Sequence, residues 1–374
     1  MKINCLLILL FCAILKLSQA QTTVLDTFNF DGLERNYILY VPAIYDGANA
    51  VPLVINLHGY GSNAAQQNFY GNFKNLADVD NFLVVLPDGT KDLSGTPYWN
   101  SFAGNGTVDD VAFISGLIDT LSQNYNIDPA KIFSTGMSNG GFMSYRLACE
   151  LNNRISKIAS VTGSMNTTLQ GTCSPGAPIP VMQIHGTNDP TVPYNGSFGV
   201  VAIENVVDYW VNNNNCESVP IVENLPDINT ADNSTVERYT YVNGDAGSSV
   251  IFYKVIGGGH TWPDAAIPIP AYGPTNRDFN ASQVIWEFFK GESFVGVNDR
   301  DVLEGIAIKY NNEVLRINIP ESLLMSNIQI LNTVGQVIIS SLDTEISTTN
   351  LSTGLYFVSV QTETGKYSQS FFKY

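Results

Sequence analysis

One segment constrains the fold of this chain more than any other, and it runs from Ile132 to Met143 with the sequence IFSTGMSNGGFM. An apolar stretch predicts a strand, Gly-x-Ser-x-Gly follows it, and an amphipathic helix begins directly behind. The small neighbours Gly136 and Gly140 let the chain turn sharply enough to lift the Ser138 hydroxyl out of the fold. The N-terminus of the following helix favours developing negative charge. The segment therefore predicts a nucleophilic serine on a strand-to-helix turn.

Apolar runs and helical patterns alternate along most of the chain, which predicts a mostly parallel sheet with helices on both faces. The predicted strands are residues 37–41, 53–57, 82–86, 131–135, 158–161, 181–185 and 249–255. The predicted helices are residues 64–77, 108–125, 138–150, 200–211 and 282–290.

The pattern changes after Gly291. From Val302 onward the chain shows only short alternating runs, which predict a small all-β sandwich. These runs are residues 315–319, 328–331, 337–339, 356–360 and 368–372. We therefore predict four parts: a signal peptide at 1–20, a first domain at 21–292, a linker at 293–301 and a β-domain at 302–374.

The first residues read as a targeting segment. A cationic start, an apolar run from Cys5 to Leu17 and small residues at the end predict a secretory signal cut before Gln21. The alternative is an N-terminal membrane anchor. No later stretch is apolar enough to predict a membrane span. We therefore expect export from the cytoplasm.

Composition excludes some partners. The chain is 44% hydrophobic and 14% charged, which suits a large core, and its net charge is −16. Such acidity argues against binding to nucleic acid or to an anionic membrane. No spacing of cysteine and histidine suits zinc, so we expect neither a metal nor a cofactor.

Three of the five cysteines follow the signal segment, which allows one disulfide and one free thiol. Cys149 falls on a predicted helix and is expected to be a buried free thiol. Cys173 and Cys216 lie in loop-like segments and are the expected pair.

A nucleophilic serine needs a base, and the chain has three histidines. Enzymes with such a turn have the chain order serine, acid, histidine, which selects His260. We expect His58 and His185 to be buried or to orient loops. Asp189 follows a buried strand and is the predicted acid. The other acids in this interval are Asp208, Asp227, Asp232 and Asp245.

Tyr60 and Asn139 are the predicted sources of an oxyanion hole. The turn from His58 to Gly61 follows an apolar strand, and its backbone N–H at Tyr60 would act with that of Asn139. The alternative is a plain turn at the end of a strand.

A set of motifs resembles the esterase family that includes poly(3-hydroxybutyrate) depolymerases, feruloyl esterases and acetyl xylan esterases. The motifs are Leu57-His58-Gly59, Val108-Asp109-Asp110-Val111, Gly136 to Gly141, Tyr145 to Glu150, His185 to Tyr194 and Gly257 to Pro263. The resemblance implies an α/β-hydrolase fold and a triad of Ser138, Asp189 and His260, in agreement with the chain order. Relatives often carry a cysteine near residues 241–244 as the partner of one at Cys216. None is present, so Cys216 pairs elsewhere or stays free.

The tail resembles the C-terminal sorting domain of the type IX secretion system. The matching segments are Ile328 to Val337, Leu351 to Val358, Thr364 to Lys366 and Lys373. The resemblance implies the outer-membrane secretion machinery as a partner, export across both membranes and removal of the tail. The alternative is a carbohydrate-binding sandwich, against which the absence of tryptophan from the tail argues.

The expected substrate is an ester-bearing polymer or oligomer. Feruloyl or acetyl esters of plant cell-wall polysaccharide are one reading, polyhydroxyalkanoate is another, and a non-catalytic surface-binding protein is a third. Aromatic residues on loops near the predicted site are candidates for substrate contact or for ordinary packing: Tyr60, Trp99, Tyr194 and Trp262. Trp210, on a helix, is expected in the core. Asp109 and Asp110 either cap a helix or bind substrate.

Overall fold

The computed structural model describes residues 21–102, 108–267, 269–291, 307–311, 313–319, 325–332, 337–352, 354–362 and 366–373. The predicted signal peptide at 1–20 and the predicted linker at 293–301 lie outside these residues. The chain divides into two compact units, residues 1–292 and 293–374, and each is described by itself.

Twelve strands are described in the first unit. They are β1 (Thr22–Phe30), β2 (Leu33–Val41), β3 (Val51–Leu57), β4 (Leu83–Pro87), β5 (Thr90–Lys91), β6 (Pro97–Tyr98), β7 (Ile127–Met137), β8 (Lys157–Val161), β9 (Val181–Gly186), β10 (Ile221–Asn224), β11 (Thr235–Tyr241) and β12 (Val250–Ile256). Ten of them form one sheet in the order β1-β2-β4-β3-β7-β8-β9-β12-β11-β10, and β5 and β6 form a separate hairpin.

The centre of this sheet is parallel and its edges are antiparallel. Pairing is parallel from β4 through β3, β7, β8 and β9 to β12, and antiparallel at the flanking strands. Every residue of β4 is buried, as expected for a strand covered on both faces. The carboxyl ends of the six central strands therefore meet at one edge, where loops can bring distant residues together.

Seven α-helices are described in the same unit. They are α1 (Ala64–Tyr70), α2 (Lys74–Asp80), α3 (Asp110–Asn124), α4 (Asn139–Glu150), α5 (Thr167–Thr172), α6 (Ile203–Asn213) and α7 (Ala281–Lys290). Several begin at a capping side chain that accepts a hydrogen bond from the first turn: Asn63, Asp109, Asn166 and Asn280. The α/β-hydrolase arrangement predicted from the sequence is confirmed.

Some elements differ from the prediction. The helix expected over 64–77 is two short helices, because α1 ends at Gly71 and α2 starts at Lys74. A side chain at position 71 would lie 2.8 Å from Gln67 Nε2 and 3.2 Å from the Trp262 ring, so the chain needs glycine there. The strands β1, β10 and β11 were not predicted. β1 and β10 are the two edge strands, β11 lies next to β10, and all three bury few residues.

The expected disulfide is wrong. Cys149, at the end of α4, pairs with Cys173, at the end of α5, with Cα atoms 5.1 Å apart. Cys216 is a half-buried free thiol. A Cβ atom at Gly244 would lie 2.7 Å from Cys216 Sγ, so the position that faces this sulfur holds a glycine. This observation agrees with the absence of a cysteine from residues 241–244.

The described residues of the second unit form two antiparallel sheets, in the orders β13-β14-β17 and β16-β15-β18-β19. Its strands are β13 (Ala307–Asn311), β14 (Val314–Asn318), β15 (Met325–Leu331), β16 (Val337–Ser341), β17 (Glu345–Ser347), β18 (Gly354–Thr362) and β19 (Lys366–Lys373). Apolar residues from both sheets form one core, including Leu315 and Ile346 from the first and Ile330 and Val358 from the second. The small all-β fold is confirmed.

Candidate active site

Ser138 occupies a strained turn between β7 and α4. Its backbone angles are φ 54° and ψ −120°, a combination that L-residues rarely adopt. A Cβ atom at Gly136 or at Gly140 would lie 2.6 Å or 2.1 Å from the Leu57 carbonyl oxygen. Only glycine fits at either position, and the turn is therefore specified by the residues on each side of the serine.

Asp189 and His260 lie on loops that follow the neighbouring parallel strands β9 and β12. His260 Nδ1 donates to Asp189 Oδ2 over 2.8 Å, and both side chains are buried. Asp189 Oδ1 accepts from the backbone N–H groups of Thr191 and Val192, each at 2.8 Å. This pairing places the imidazole proton on Nδ1 and leaves Nε2 of His260 free to accept a proton.

Close backbone contact brings these two loops together. A Cβ atom at Gly186 would lie 2.2 Å from the Gly258 carbonyl oxygen. Asn188 N–H donates to that same carbonyl over 2.9 Å. Gly186, at the start of the Asp189 loop, is thus needed for the approach of the two loops, and the approach brings the acid to the histidine.

His58 fixes the turn after β3. Gly89 N–H donates to His58 Nε2 over 2.9 Å, so Nδ1 carries the proton and donates to the Gly59 carbonyl over 2.8 Å. In a trans peptide the next N–H, that of Tyr60, points opposite to this carbonyl. A Cβ atom at Gly59 would lie 3.4 Å from Ser138 Cβ, so the turn packs against the serine.

Burial lowers the pKa of His58, which keeps the ring neutral while it binds the backbone of this turn.

Asn139 directly follows the serine, and its side chain binds a neighbouring loop. Its side chain accepts from Trp99 N–H over 2.6 Å and donates to Ser101 Oγ over 2.9 Å. Its own backbone N–H lies in the first turn of α4, where N–H groups have no partner inside the helix.

A cleft of about 860 Å³ opens beside Ser138 and His260. Most of its wall is apolar or aromatic. Among the lining residues that the structure describes, none is Asp, Glu, Lys or Arg. The larger side chains of the wall are Tyr60, Phe69, Tyr70, Met137, Trp262, Ile267, Ile269 and Tyr272.

Two of the aromatic residues predicted to contact substrate do not line this cleft. Trp99 is 0% exposed, and its Nε1 donates to the His58 carbonyl over 3.0 Å, so its indole stabilises the turn that begins at His58. Tyr194 donates to Glu204 over 2.7 Å and stacks on Phe252. Both side chains therefore make contacts within the fold, away from the cleft.

The other two aromatic residues do line the cleft. Tyr60 is 58% exposed, and its hydroxyl donates to Asp92 over 2.6 Å. Trp262 is 2% exposed, and its Nε1 donates to Ser282 Oγ over 3.2 Å, which fixes the ring as part of the wall.

Asp109 and Asp110 have structural partners. Asp109 caps α3 by accepting from Ala112 N–H over 3.0 Å. Asp110 is fully buried, pairs with Arg35 over 2.8 Å and accepts from Asn100 N–H. Burial excludes substrate contact by Asp110. Trp210 is in the core, as expected.

Sequence reasoning missed much of the cleft wall. Phe69 and Tyr70 end the short helix α1, and Ile267, Ile269 and Tyr272 come from the segment between β12 and α7. The available signal was the apolar run AAIPIPAY at 265–272, which falls in a segment with no helical or strand pattern. An apolar run in a loop is typical of a binding surface.

No group of three or more histidine, cysteine or acidic side chains could hold a metal ion in the part of the chain that the structure covers. Within the same residues, no helix is long and apolar enough to cross a membrane.

Two families match this chain. Residues 43–223 match the family described as Phospholipase/Carboxylesterase. Residues 311–373 match the family described as Secretion system C-terminal sorting domain. The two matches fall in different units of the structure.

Curated relatives include esterases from fungi. A bifunctional acetylxylan esterase/xylanase, XynS20E, from Neocallimastix patriciarum is 27% identical over 71% of this chain and 34% of its own length. Feruloyl esterase B from Piromyces equi is 28% identical over 62% and 43%. Feruloyl esterase D from Neurospora crassa is 26% identical over 70% and 84%. The chain thus spans less than half the length of the first two.

These findings bear on both units. The match over residues 43–223 and the esterase relatives support a carboxylic-ester hydrolase, and the match over residues 311–373 supports a location outside the cell or at its surface.

Proposed function

We propose that this protein is a secreted serine esterase that releases aromatic acyl groups, feruloyl groups above all, from plant cell-wall polysaccharide. The observation that carries this proposal is the large uncharged cleft of about 860 Å³ beside Ser138 and His260. The names of the relatives support the substrate class, since they include feruloyl and acetylxylan esterases.

The proposed chemistry is acyl transfer through Ser138. His260 Nε2 takes the hydroxyl proton as Ser138 Oγ attacks the ester carbonyl, and it then returns this proton to the leaving alcohol of the sugar. Water then attacks the acyl-enzyme and gives a proton to His260. The bond between the acyl carbon and Ser138 Oγ breaks, His260 returns the proton to Ser138 Oγ, and the free acid leaves. Asp189, which accepts from His260 Nδ1, orients the imidazole and stabilises its cation.

The oxyanion formed in each step would accept from the backbone N–H groups of Tyr60 and Asn139. His58 supports this assignment because it fixes the Gly59 carbonyl, and with it the direction of the Tyr60 N–H. The side chain of Asn139 supports it because its bonds to the segment 99–101 fix the start of α4. Losing one such donor typically costs a factor of about 10²–10³ in kcat.

The size and polarity of the cleft favour an aromatic acyl group over an acetyl group. An acetyl group would fill a small part of the space, whereas a phenylpropenoyl group can pack against Tyr70, Trp262 and Ile269. Ser62, Gln66 and Thr275 supply neutral polar atoms on the same wall for ring substituents. A negatively charged acyl group would meet no lysine or arginine in the described lining.

The test compares esters that differ in their acyl group. Purified protein should hydrolyse methyl ferulate with a kcat/KM at least about tenfold above that for methyl acetate, because only the larger acyl group fills the cleft. With polymers, ferulate should be released from feruloylated arabinoxylan. Predominant release of acetate from acetylated xylan, or of 3-hydroxybutyrate from its polyester, would contradict the proposed substrate and favour one of the alternatives.

A matched pair of variants links this preference to the cleft. Phe69→Ala should raise KM for methyl ferulate several-fold and leave the rate on p-nitrophenyl acetate nearly unchanged. Val79→Ala, at an exposed apolar residue outside the cleft, is the control and should change neither. Equal losses on both esters in Phe69→Ala would mean that the residue only supports the fold.

A further inference from the structure

A second buried histidine, besides His260, lies close to Asp189. His185 is on β9, its side chain is fully buried, and its Nε2 lies 2.9 Å from the Val192 carbonyl oxygen and 3.4 Å from Asp189 Oδ2. The same Oδ2 atom accepts from His260 Nδ1. One carboxylate oxygen is therefore close to a ring nitrogen of each of two histidines.

We propose that His185 is a positioning residue for the catalytic acid, held as a neutral Nε2–H tautomer by a buried chain of hydrogen bonds through Gln183 and Tyr145. The proposal rests on the proposed function of Ser138, Asp189 and His260. It assigns to His185 the orientation of the carboxylate, and no contact with substrate.

The tautomer of His185 follows from its partners. A backbone carbonyl and a carboxylate can only accept, so Nε2 must carry the proton. On the other side of the ring, Gln183 Nε2 lies 3.0 Å from His185 Nδ1 and donates to it, because the amide nitrogen can only donate. The ring therefore has one proton, on the atom that faces Val192 and Asp189.

Gln183 is itself fixed. Tyr145 Oη donates to Gln183 Oε1 over 2.5 Å, and Gln183 Nε2 also donates to the Gly163 carbonyl over 2.9 Å. Both side chains are fully buried. Alternation along β9 puts Gln183 and His185 on the same face of the strand, so the amide reaches the ring.

His185 acts on both oxygens of Asp189. It binds the Val192 carbonyl, and the N–H of Val192 donates to Asp189 Oδ1 over 2.8 Å. Its own N–H lies beside Oδ2. Holding Val192 in place thus fixes the loop that binds one oxygen, and the N–H dipole attracts the other. The remaining lone pairs of Oδ2 face His260.

The neutral state of His185 matters for the chemistry. The charged or titratable groups that face the ring are Asp189 and His260, and the Tyr194 ring lies 6.3 Å away. Burial lowers the pKa of His185 to about 4, against the opposing effect of Asp189. A cation at this position would compete with the His260 imidazolium for the same carboxylate. A neutral ring leaves the full charge of Asp189 to His260.

The experiment uses His185→Leu with His185→Gln as its matched control. Leucine fills the space without a donor, whereas glutamine keeps an N–H near the Nε2 position. For His185→Leu we expect kcat on a soluble ester to fall about tenfold or more, with KM within about twofold of wild type. His185→Gln should recover most of kcat. Because a purely structural role would lower the melting temperature alone, unchanged kcat in folded His185→Leu would overturn the proposal.

A spectroscopic readout separates this proposal from the esterase assignment. The His260 Nδ1 proton shared with Asp189 should give a low-field proton NMR signal in wild type and in His185→Gln, and this signal should shift or vanish in His185→Leu. The measurement needs no turnover, so it holds if Ser138 proves not to be the nucleophile. An unchanged signal in His185→Leu would overturn the proposal.

Tyr145→Phe covers the case in which His185→Leu does not fold. It removes one oxygen atom and keeps the ring that stacks on Trp210. Loosening Gln183 should lower kcat about two- to fivefold and shift the same low-field signal. If Tyr145→Phe changes neither kcat nor this signal, the proposed chain from Tyr145 to Asp189 is wrong.

Discussion

The two units of this chain differ in the direction of neighbouring strands, and this difference determines where candidate catalytic residues can come together. In the first unit six central strands run parallel, so their carboxyl ends meet at one edge, and the loops there carry Ser138, Asp189 and His260. In the second unit neighbouring strands run antiparallel, so successive loops alternate between edges. All three histidines of the chain lie in the first unit. Parallel strands therefore bring loops that are distant in sequence to one edge of a sheet, whereas antiparallel strands place successive loops at opposite edges.

The units also differ in what their buried polar groups do. In the first unit, His58 and His185 are buried as neutral rings that orient a backbone turn and a carboxylate loop. In the second, the buried Lys373 donates to the carbonyls of Thr348 and Thr349 and lies 3.5 Å from Glu313. That cation ties the last strand to the rest of its own unit. The two buried histidines of the first unit therefore support the candidate site, whereas the buried lysine of the second unit supports the fold of that unit.

The largest expected effect tests whether the chemistry belongs to the first unit. Ser138→Ala and His260→Ala should each lower kcat on a p-nitrophenyl ester by roughly 10³-fold or more, because each removes a group that reacts in every turnover. Ser122→Ala, at an exposed position on α3, is the control and should be silent. Retention of most activity in either variant would break the assignment.

The next effect concerns the acid. Asp189→Asn should keep the fold and lower kcat by roughly 10²-fold or more, since an amide nitrogen facing His260 would favour the wrong tautomer. Asp208→Asn and Asp245→Asn, both at exposed positions, should stay near wild type. If Asp245→Asn is instead the damaging substitution, the loop after β9 does not supply the acid.

A smaller effect is the pH dependence of stability from His185. Its pKa is about 4 in the folded chain against 6.5 for the free side chain, so between these values the unfolded chain binds more protons. The free energy of unfolding should therefore fall as the pH drops from about 6.5 to 4, by about 3 kcal/mol at most. His185→Gln removes this contribution and keeps every other group.

The measurement is urea unfolding of wild type and His185→Gln at several pH values in this window. The variant should lose less stability than wild type as the pH falls. Equal slopes in the two proteins would show that His185 is not buried in its neutral form. His58, whose pKa is also lowered by burial, contributes with the same sign in both proteins and cancels in the comparison.

Local patterns predicted the parts of the structure that are set locally. The turn around Ser138 is specified by Gly136 and Gly140, each of which lies two residues from the serine and cannot be replaced by a larger residue. The position of Asp189 follows from the end of a strongly apolar strand. The tail showed the alternation of half-buried strands, as in β14. In each case the pattern spans only a few consecutive residues, so the sequence displays it, although the contact that requires the two glycines is with the distant Leu57 carbonyl.

Features that depend on contacts between segments far apart in the sequence were not predicted. The pairing of Cys149 with Cys173 depends on how the end of α5 meets the end of α4. Trp99 is in a loop by pattern, yet its indole is buried under the His58 turn. The part of the cleft wall formed by Ala265, Ile267, Ile269 and Tyr272 depends on how a segment between β12 and α7 approaches the serine. Single-sequence periodicity contains no signal for these approaches.

The smallest expected effect is that of the tail on catalysis. A shortened chain of residues 21–291 should hydrolyse a soluble ester with kcat within about twofold of the full chain, because the site residues all lie in the first unit. The new end is structurally complete: α7 closes at Gly291, whose N–H donates to the Glu287 carbonyl, and Lys157 Nζ donates to the Phe288 carbonyl over 2.8 Å. The aromatic residues of α7 pack within the same unit, where Trp286 stacks on Phe82 and Phe289 on Phe133.

Two outcomes would break this contrast between the units. If the shortened chain is soluble but inactive, the tail completes the site, and the division into a chemical unit and a sorting unit is wrong. If protein collected from the medium of the native host has an intact mass that includes Tyr374, the tail is retained after export. We expect the opposite in both cases: normal kcat without the tail, and a secreted form that begins near Gln21 and lacks most of the residues after Val302.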